Sequence, residues 1–213
     1  MPYNHYTGLS VNRLVKILEM RTILLTTLVA ILGMSCQDDE PLPTPDPESG
    51  IHHVILEEPE FFHYLQACEI DLNGDSIHDF RFSVGLIYSD GASHEKFLAN
   101  SYRDAKIQIV DYEAVAYDKD FVVGPQGDPS NTIWDIFSGE LIVKTTRGNE
   151  APVWSGNWIE NTEGYIAVSI RLNGEYHYGW IKLLTDLEHE SIMVQEYAYN
   201  KTPGASIKTG QRE

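Results

Sequence analysis

"GYIAVSIRLNGEYHYGWIKLL", residues 164–184, has the clearest secondary-structure pattern in this chain. Apolar side chains recur at every second position, which predicts β-strands and not helices. The first strand places Ile166, Val168, Ile170 and Leu172 on one face and Tyr165, Ala167, Ser169 and Arg171 on the other. The return strand places Tyr176, Tyr178 and Trp180 on one face and His177, Gly179 and Ile181 on the other. Between them, Asn173-Gly174 predicts a tight hairpin, because both central residues of a type I′ turn need a positive φ.

The same period of two extends over most of the chain after residue 50. It is clear in "DFRFSVGLIY", residues 79–88, and in "SIMVQEYAYN", residues 191–200. Only residues 60–67 and 94–103 have a pattern compatible with short helices. Many short strands joined by polar turns predict an all-β domain over residues 51–213, a β-sandwich with a jelly-roll arrangement.

Composition bounds the class of protein. The chain has 213 residues, of which 42% are hydrophobic and 11% aromatic, as expected for one globular domain. The formal net charge is −17. This charge argues against nucleic acid as a partner, because phosphates are bound by Lys and Arg. It also argues against docking on anionic lipid through a basic patch.

The N-terminal segment predicts a targeting signal. In "MRTILLTTLVAILGMSC", residues 20–36, Arg21 precedes an apolar run over residues 23–34 that is too short to span a bilayer as a helix. The segment resembles a bacterial lipoprotein signal, which implies cleavage before Cys36 and lipidation of its thiol. An ordinary secretory signal with a coincidental cysteine is the alternative. Residues 1–35 are thus predicted to be a signal peptide, and Met20 also fits as a start, which would make residues 1–19 an upstream extension.

A linker follows the predicted anchor. Residues 37–50, "QDDEPLPTPDPESG", contain four prolines and five acidic residues, so they cannot bury enough apolar surface to fold. Residues 36–50 are therefore predicted to be a lipidated cysteine and a disordered, semi-rigid spacer. "CQDDE" resembles the acidic tract of surface-exported lipoproteins in Bacteroidetes. This resemblance implies lipid anchoring in the outer membrane, facing the cell exterior.

A calcium loop is predicted in "DLNGDSIHD", residues 71–79. Oxygen donors at nearly alternate positions suit Ca²⁺. The predicted ligands are Asp71, Asn73, Asp75, Asp79 and the carbonyl of Ile77. The loop departs from an EF-hand at Ser76, where glycine is expected, and at Phe82, where a bidentate Glu is expected. It is more similar to the DxNxDxxxD calcium loops of secreted bacterial β-proteins, and the alternative is a polar turn without metal.

Catalytic motifs are not evident in the sequence. "EIDL", residues 69–72, resembles part of a laminarinase-like glycosidase motif, but Asn73 and Gly74 occupy the places where its second glutamate is needed. No GxSxG, HExxH or Cys-His pattern appears. We therefore expect a protein that is not an enzyme, and a carbohydrate-active hydrolase with dispersed acidic residues is the alternative. His52-His53 is expected to be solvated, and Cys68 to be a small buried hydrophobe.

Aromatic residues suggest a ligand surface. "APVWSGNWIENTEGY", residues 151–165, places Trp154, Trp158 and Tyr165 in a Gly- and Asn-rich loop. Exposed aromatic rings beside amides are typical of sugar-binding sites, so these three residues are predicted to bind a glycan. The alternative is that the rings belong to the hydrophobic core, as large aromatic residues of sandwiches often do.

Three motifs in this order carry one further resemblance: "DLNGDSIHDF", "HYGWIKL" and "VQEYAYN", the last followed by Pro203, Ile207 and Gly210. The chain resembles a family of uncharacterised secreted proteins of Bacteroidetes. That resemblance implies a shared sandwich and no particular activity. Taken together, the sequence predicts a surface lipoprotein whose non-enzymatic module binds a glycan or another envelope protein.

Overall fold

The computed structural model describes residues 50–126, 132–161 and 163–213, and these ranges contain strands and no helix. The strands are β1 (Ile51–Phe62), β2 (Cys68–Ile70), β3 (Phe80–Ser89), β4 (Ala92–Ser101), β5 (Lys106–Val110), β6 (Glu113–Ala114), β7 (Val122–Val123), β8 (Ile133–Asp135), β9 (Ser138–Thr146), β10 (Val153–Ser155), β11 (Glu163–Leu172), β12 (Glu175–Asp186), β13 (Ser191–Asn200) and β14 (Ile207–Lys208). The predicted all-β class is confirmed. The described residues belong to one compact unit, Glu48–Glu213, which has its own hydrophobic core.

One curled sheet forms most of the fold. Its strand order is β1-β13-β12-β11-β5-β6-β9-β4-β3-β2, with β8 added to β5 and β10 added to β9. The end strands β1 and β2 are joined by only residues 63–67, so the two ends of the sheet must approach each other. The rings of Phe62 in β1 and Phe82 in β3 accordingly lie 5.4 Å apart. The sheet is therefore nearly barrel-like, and its opposite walls pack across one core as the layers of a sandwich do.

The hairpin predicted at Asn173-Gly174 is confirmed. Leu172 pairs with Glu175, and φ is 51° at Asn173 and 91° at Gly174, as a type I′ turn requires. Ile166 and Val168 point into the main core, and Ala167 on the opposite face is also buried. Burial on both faces arises because the outer face is covered as well.

A second hydrophobic cluster covers the outer face of β11, β12 and β13. It joins these strands to residues 115–123 and to β14. Its largest members are Tyr117, Tyr165, Tyr178 and Trp180. The small sheet formed by β7 and β14 fixes the C-terminal segment over this face. The covering segments therefore bury the aromatic side chains of this face, and a polar cleft lies at their edge.

Both predicted helices are wrong. The first, residues 60–67, contains the end of β1 and a turn closed by a bridge between His63 and Gln66. The second, residues 94–103, contains most of β4, which pairs with β3 on one side and β9 on the other. Phe97 and Ala99 of β4 point into the core with strand alternation. Pairing with two neighbouring strands overrides the local pattern.

Candidate functional site

The loop of residues 71–79 is organised around Asp71. Oδ1 of Asp71 accepts hydrogen bonds from the backbone N–H groups of Gly74 at 2.8 Å and Asp75 at 3.2 Å. Oδ2 accepts one from the N–H of Ser76 at 2.6 Å. Ser76 has a φ of 67°, a conformation in which glycine is the usual residue. One carboxylate thus holds three consecutive amides and shapes the turn.

The other predicted ligands also bond within the loop. Asn73 Oδ1 accepts the N–H of Asp75 at 2.9 Å, and Asp75 Oδ1 accepts the N–H of Ile77 at 2.9 Å. Asp79 Oδ2 accepts the N–H of Leu72 at 2.9 Å. Each of these accepting oxygens has a second lone pair, so an amide bond does not by itself exclude a cation.

Asp79 is the carboxylate most affected by its surroundings. Burial raises its pKa to about 6, and the charges of Asp71 and Asp75 act in the same direction. The N–H of Leu72 and the charge of Arg103 oppose this increase. Within the described ranges, no three acidic, His or Cys side chains converge as a metal-binding group. The loop therefore has the predicted donors, and calcium binding there remains a prediction.

The predicted platform of three aromatic rings is wrong as a geometric arrangement. Trp158 is 0% exposed and packs in the main core, where its indole N–H donates a hydrogen bond to the carbonyl of Ala114 at 3.0 Å. Tyr165 belongs to the separate outer cluster. Trp154 is half-buried, and its ring lies 6.1 Å from that of Phe97. Trp154 and Trp158 both pack against the main core, whereas Tyr165 lies in the outer cluster, so the three rings do not form one exposed surface.

Tyr165 does line a cleft, of about 420 Å³, on the rim of the outer face. The cleft is polar and is formed by Lys119, Glu163, Tyr165, Lys182, Glu196, Gly210, Arg212 and Glu213. Strand register brings together the three residues at the centre of the cleft, because Lys182 is opposite Tyr165 in β11 and opposite Glu196 in β13. Gly210 has a φ of 75°, and a Cβ there would approach Tyr165 Oη to 3.0 Å. A glycine at this position lets the C-terminal segment close the cleft.

Glu196 is the most buried charged group of the cleft. Its side chain is only 5% exposed, and its carboxylate lies 3.0 Å from His53 Nε2, 3.0 Å from Arg212 Nη2 and 3.7 Å from Lys182 Nζ. Burial by itself raises the pKa of Glu196, but the hydrogen bonds from His53 and Arg212 and the charges of Arg212 and Lys182 outweigh it. The pKa of Glu196 is therefore lowered. This carboxylate stays ionised in a fixed position.

The remainder of the cleft has mixed charge. Lys182 Nζ contacts Glu163 at 2.8 Å, whereas Lys119 has no ion pair within the described ranges. Burial raises the pKa of Tyr165, so its hydroxyl remains protonated at neutral pH. The cleft thus presents donors, acceptors and one group that does both.

The expectation that His52-His53 is solvated is also wrong. His53 bonds to Glu196, and the His52 ring lies 5.2 Å from that of Tyr199. Sequence reasoning missed this group. The available signal was the presence of Lys182 and Glu196 inside otherwise apolar strands, which is uncommon unless the charges are paired. The prediction that Cys68 is buried is confirmed, since it is 2% exposed.

The predicted anchor, Cys36, lies outside the described residues. In the part of the chain that the structure describes, no helix is long and apolar enough to cross a membrane. Comparisons of the chain with protein-family models, with curated proteins and with solved structures found no match.

Proposed function

We propose that this protein is a non-enzymatic binding module, displayed on the outer face of the outer membrane by a lipid anchor at Cys36, that binds a hydroxyl-rich ligand of the glycan class. The observation that carries the proposal is the polar cleft around Tyr165. It replaces the three-ring platform as the candidate binding surface. Another envelope protein that carries sugars would present the same chemistry.

The choice of a hydroxyl-rich ligand follows from the lining groups. Lys119, Lys182 and Arg212 only donate hydrogen bonds, Glu163, Glu196 and Glu213 only accept them, and the Tyr165 hydroxyl does both. A sugar hydroxyl also donates and accepts, so adjacent hydroxyls can bond to neighbouring groups of opposite kind. A ligand that carries charges of only one sign would be repelled by the lining groups of the same sign in this cleft.

Binding is favoured over hydrolysis by the state of Glu196. A glycosidase general acid needs a raised pKa, so that its proton is held at neutral pH. The pKa of Glu196 is lowered, and its oxygens are already bonded to His53 and Arg212. The hydrolase alternative would therefore require a different acid.

A glycan array with residues 37–213 tests this proposal. We expect binding without release of sugar. Lys119→Ala should weaken the binding about tenfold or more, because a hydrogen bond to a charged group contributes roughly 1.5–3 kcal/mol. Lys208→Ala is the matched control, because Lys208 is exposed and outside the cleft. Equal losses in both variants would contradict the site, and released sugar would support the hydrolase.

We also propose that Asp71, Asn73, Asp75, Asp79 and the Ile77 carbonyl hold one structural Ca²⁺. Two observations support this. The donors are oxygens with lone pairs beyond those used by the loop amides, and the charges of Asp71 and Asp75 add to burial in raising the pKa of Asp79. Bound calcium would relieve that repulsion and fix the entry of the chain into β3, which starts at Phe80.

A further inference from the structure

One edge of β3 is open over most of the strand. β4 pairs with all ten residues of β3, whereas β2 pairs only with residues 80–82. Along residues 83–89, no strand of the described ranges pairs with the other side of β3. Leu86, Ile87 and Tyr88 are 52%, 49% and 75% exposed. We call residues 83–89 the β3 edge.

Other strand edges of the described ranges are protected, and the β3 edge is not. Strand β1, which ends the sheet, is irregular between Ile55 and Glu60 in its pairing with β13, and Glu57, Glu58 and Pro59 lie in this stretch. Strands β8 and β10 are only three residues long. The β3 edge reads "SVGLIYS", with no charge and no proline, and it pairs with β4 in continuous register. Proteins avoid such an edge unless another strand covers it.

The turn after β3 shows which backbone groups point outward. Asp90 and Gly91 have φ values of 51° and 73°, so a two-residue hairpin loop joins β3 to β4. The residues flanking such a loop form a hydrogen-bonded pair, and bonding direction alternates along an antiparallel strand. Ser89, Ile87 and Gly85 therefore bond to β4. The N–H and C=O groups of Tyr88, Leu86 and Val84 point to the open edge.

We propose that the β3 edge pairs in antiparallel fashion with the β3 edge of a second copy of this chain, around a two-fold axis at Leu86. The segment begins and ends with serine and is uncharged throughout, so it can pair with a reversed copy of itself without placing like charges opposite each other. The pairs would be Ser83 with Ser89, Val84 with Tyr88, Gly85 with Ile87 and Leu86 with its own copy. The outward-pointing groups then all fall in hydrogen-bonded pairs, which gives about six backbone bonds. Val opposite Tyr is a favourable cross-strand pair.

Other registers are less favourable. An axis at Ile87 would place Val84 opposite the charged Asp90 and would leave the central pair without hydrogen bonds. A shift by an odd number of residues would place side chains on the wrong faces of the joined sheet. The same segment of a second copy is therefore the occupant that we infer, because one two-fold axis then satisfies all the outward-pointing groups of residues 84–88 on both chains.

Sedimentation equilibrium of residues 37–213, which carry the compact unit with its complete core, tests the pairing. We expect a monomer–dimer equilibrium that strengthens with salt, because both copies belong to a chain with a net charge of −17. Leu86→Lys should raise the dissociation constant at least tenfold, since two Lys charges would meet at the axis. Val153→Lys is the control, because Val153 is 66% exposed on the short edge strand β10. A monomer at all concentrations, or equal effects of both variants, would overturn the proposal.

Disulfide trapping tests the register. Gly85 and Ile87 of the partner copy would form a non-hydrogen-bonded pair, with Cα atoms about 4.5 Å apart, which a disulfide can bridge. Mixing Gly85→Cys with a tagged Ile87→Cys should give mainly the mixed dimer under mild oxidation. The buried Cys68 does not compete, as it is 2% exposed. A predominant Ile87→Cys homodimer, or no cross-linked dimer, would contradict pairing at Leu86.

Discussion

At the scale of single residues, Trp158 is the most informative aromatic side chain. Its ring is fully buried, and its N–H is bonded to the Ala114 carbonyl. Trp158→Ala should therefore lower the free energy of unfolding by about 3–5 kcal/mol, since it removes a large core side chain and leaves a polar acceptor unpaired. Urea unfolding followed by circular dichroism measures this loss.

Trp154→Ala is the matched comparison for Trp158. Trp154 is half-buried on the short strand β10, so its truncation should cost clearly less. Similar small losses in both variants would indicate that Trp158 is not a core residue in solution. The sequence placed both residues in one loop, and only the packing of Trp158 against β6 and β11 separates them.

Glu196 predicts a specific dependence of stability on pH. Its pKa lies below the ordinary value of 4.5, so the native state binds fewer protons there than the unfolded state. Its contribution is fully present above pH 4.5 and is lost as the pH falls through the lowered pKa. Glu196→Gln should cost about 1–3 kcal/mol at neutral pH, and the difference from wild type should shrink below pH 4.5.

Unfolding free energies measured from about pH 3 to pH 7 test the Glu196 prediction. Glu213→Gln is the control, because Glu213 is exposed in the same cleft. Its effect should be small at every pH. A constant difference between wild type and Glu196→Gln across the range would show that the charge of Glu196 does not contribute.

At the scale of elements, the loop of residues 71–79 should respond to calcium. Binding to the native state alone stabilises it by about 2.7 kcal/mol at a hundredfold excess over Kd, so the melting temperature should rise by several degrees. Magnesium should act much less, because it demands stricter octahedral geometry. Asp75→Ala should remove the calcium response, as thermal melts in EDTA and in millimolar calcium would show.

Asp118→Ala provides the control for the loop, since Asp118 is exposed and outside it. This variant should keep the calcium response. Equal melting curves of the wild type in EDTA and in calcium would mean that the loop is only a polar turn. In EDTA, Asp75→Ala loses the loop hydrogen bonds of Asp75 but is relieved of its repulsion with Asp79. These two effects on the melting temperature oppose each other.

How far each element was predictable depends on whether its partners are local. The hairpin of β11 and β12 combines period, turn residues and pairing in one continuous segment, so the sequence predicts it well. Strand β4 has distant partners instead. Its charged residues Glu95 and Lys96 pair with Lys144 and Glu140 of β9, which no local pattern reveals. Reading residues 94–103 as a helix failed for this reason.

The two candidate sites differ in the same way. The loop of residues 71–79 is contiguous, so spacing alone located its donors. The cleft joins β11, β12 and β13 to the C-terminal segment, and its centre exists only in the observed register. Without knowing which strands are neighbours, Tyr165, Lys182 and Glu196 cannot be grouped from the sequence.

At the scale of the whole molecule, some parts of the curled sheet are covered and others are open to contacts. Strands β11 to β13 are buried on both faces, whereas β3 keeps an open edge. The cleft and the β3 edge use different residues. Ligand binding and pairing of copies should therefore be separable by mutation, which allows the failure of one proposal to be distinguished from failure of the other.

The predicted membrane attachment also belongs to the whole molecule. With a net charge of −17, the chain cannot rely on attraction to anionic lipids, so we expect any attachment to come from acyl chains. Stable anchoring needs two or more chains, and Cys36 is the residue predicted to carry them. Cys36→Ala should therefore release the protein from membranes or leave it unprocessed. Cys68→Ala should leave its location unchanged, because Cys68 is buried. Membrane fractionation with intact mass measurement decides, and an unchanged mass and location of Cys36→Ala would exclude the lipid anchor.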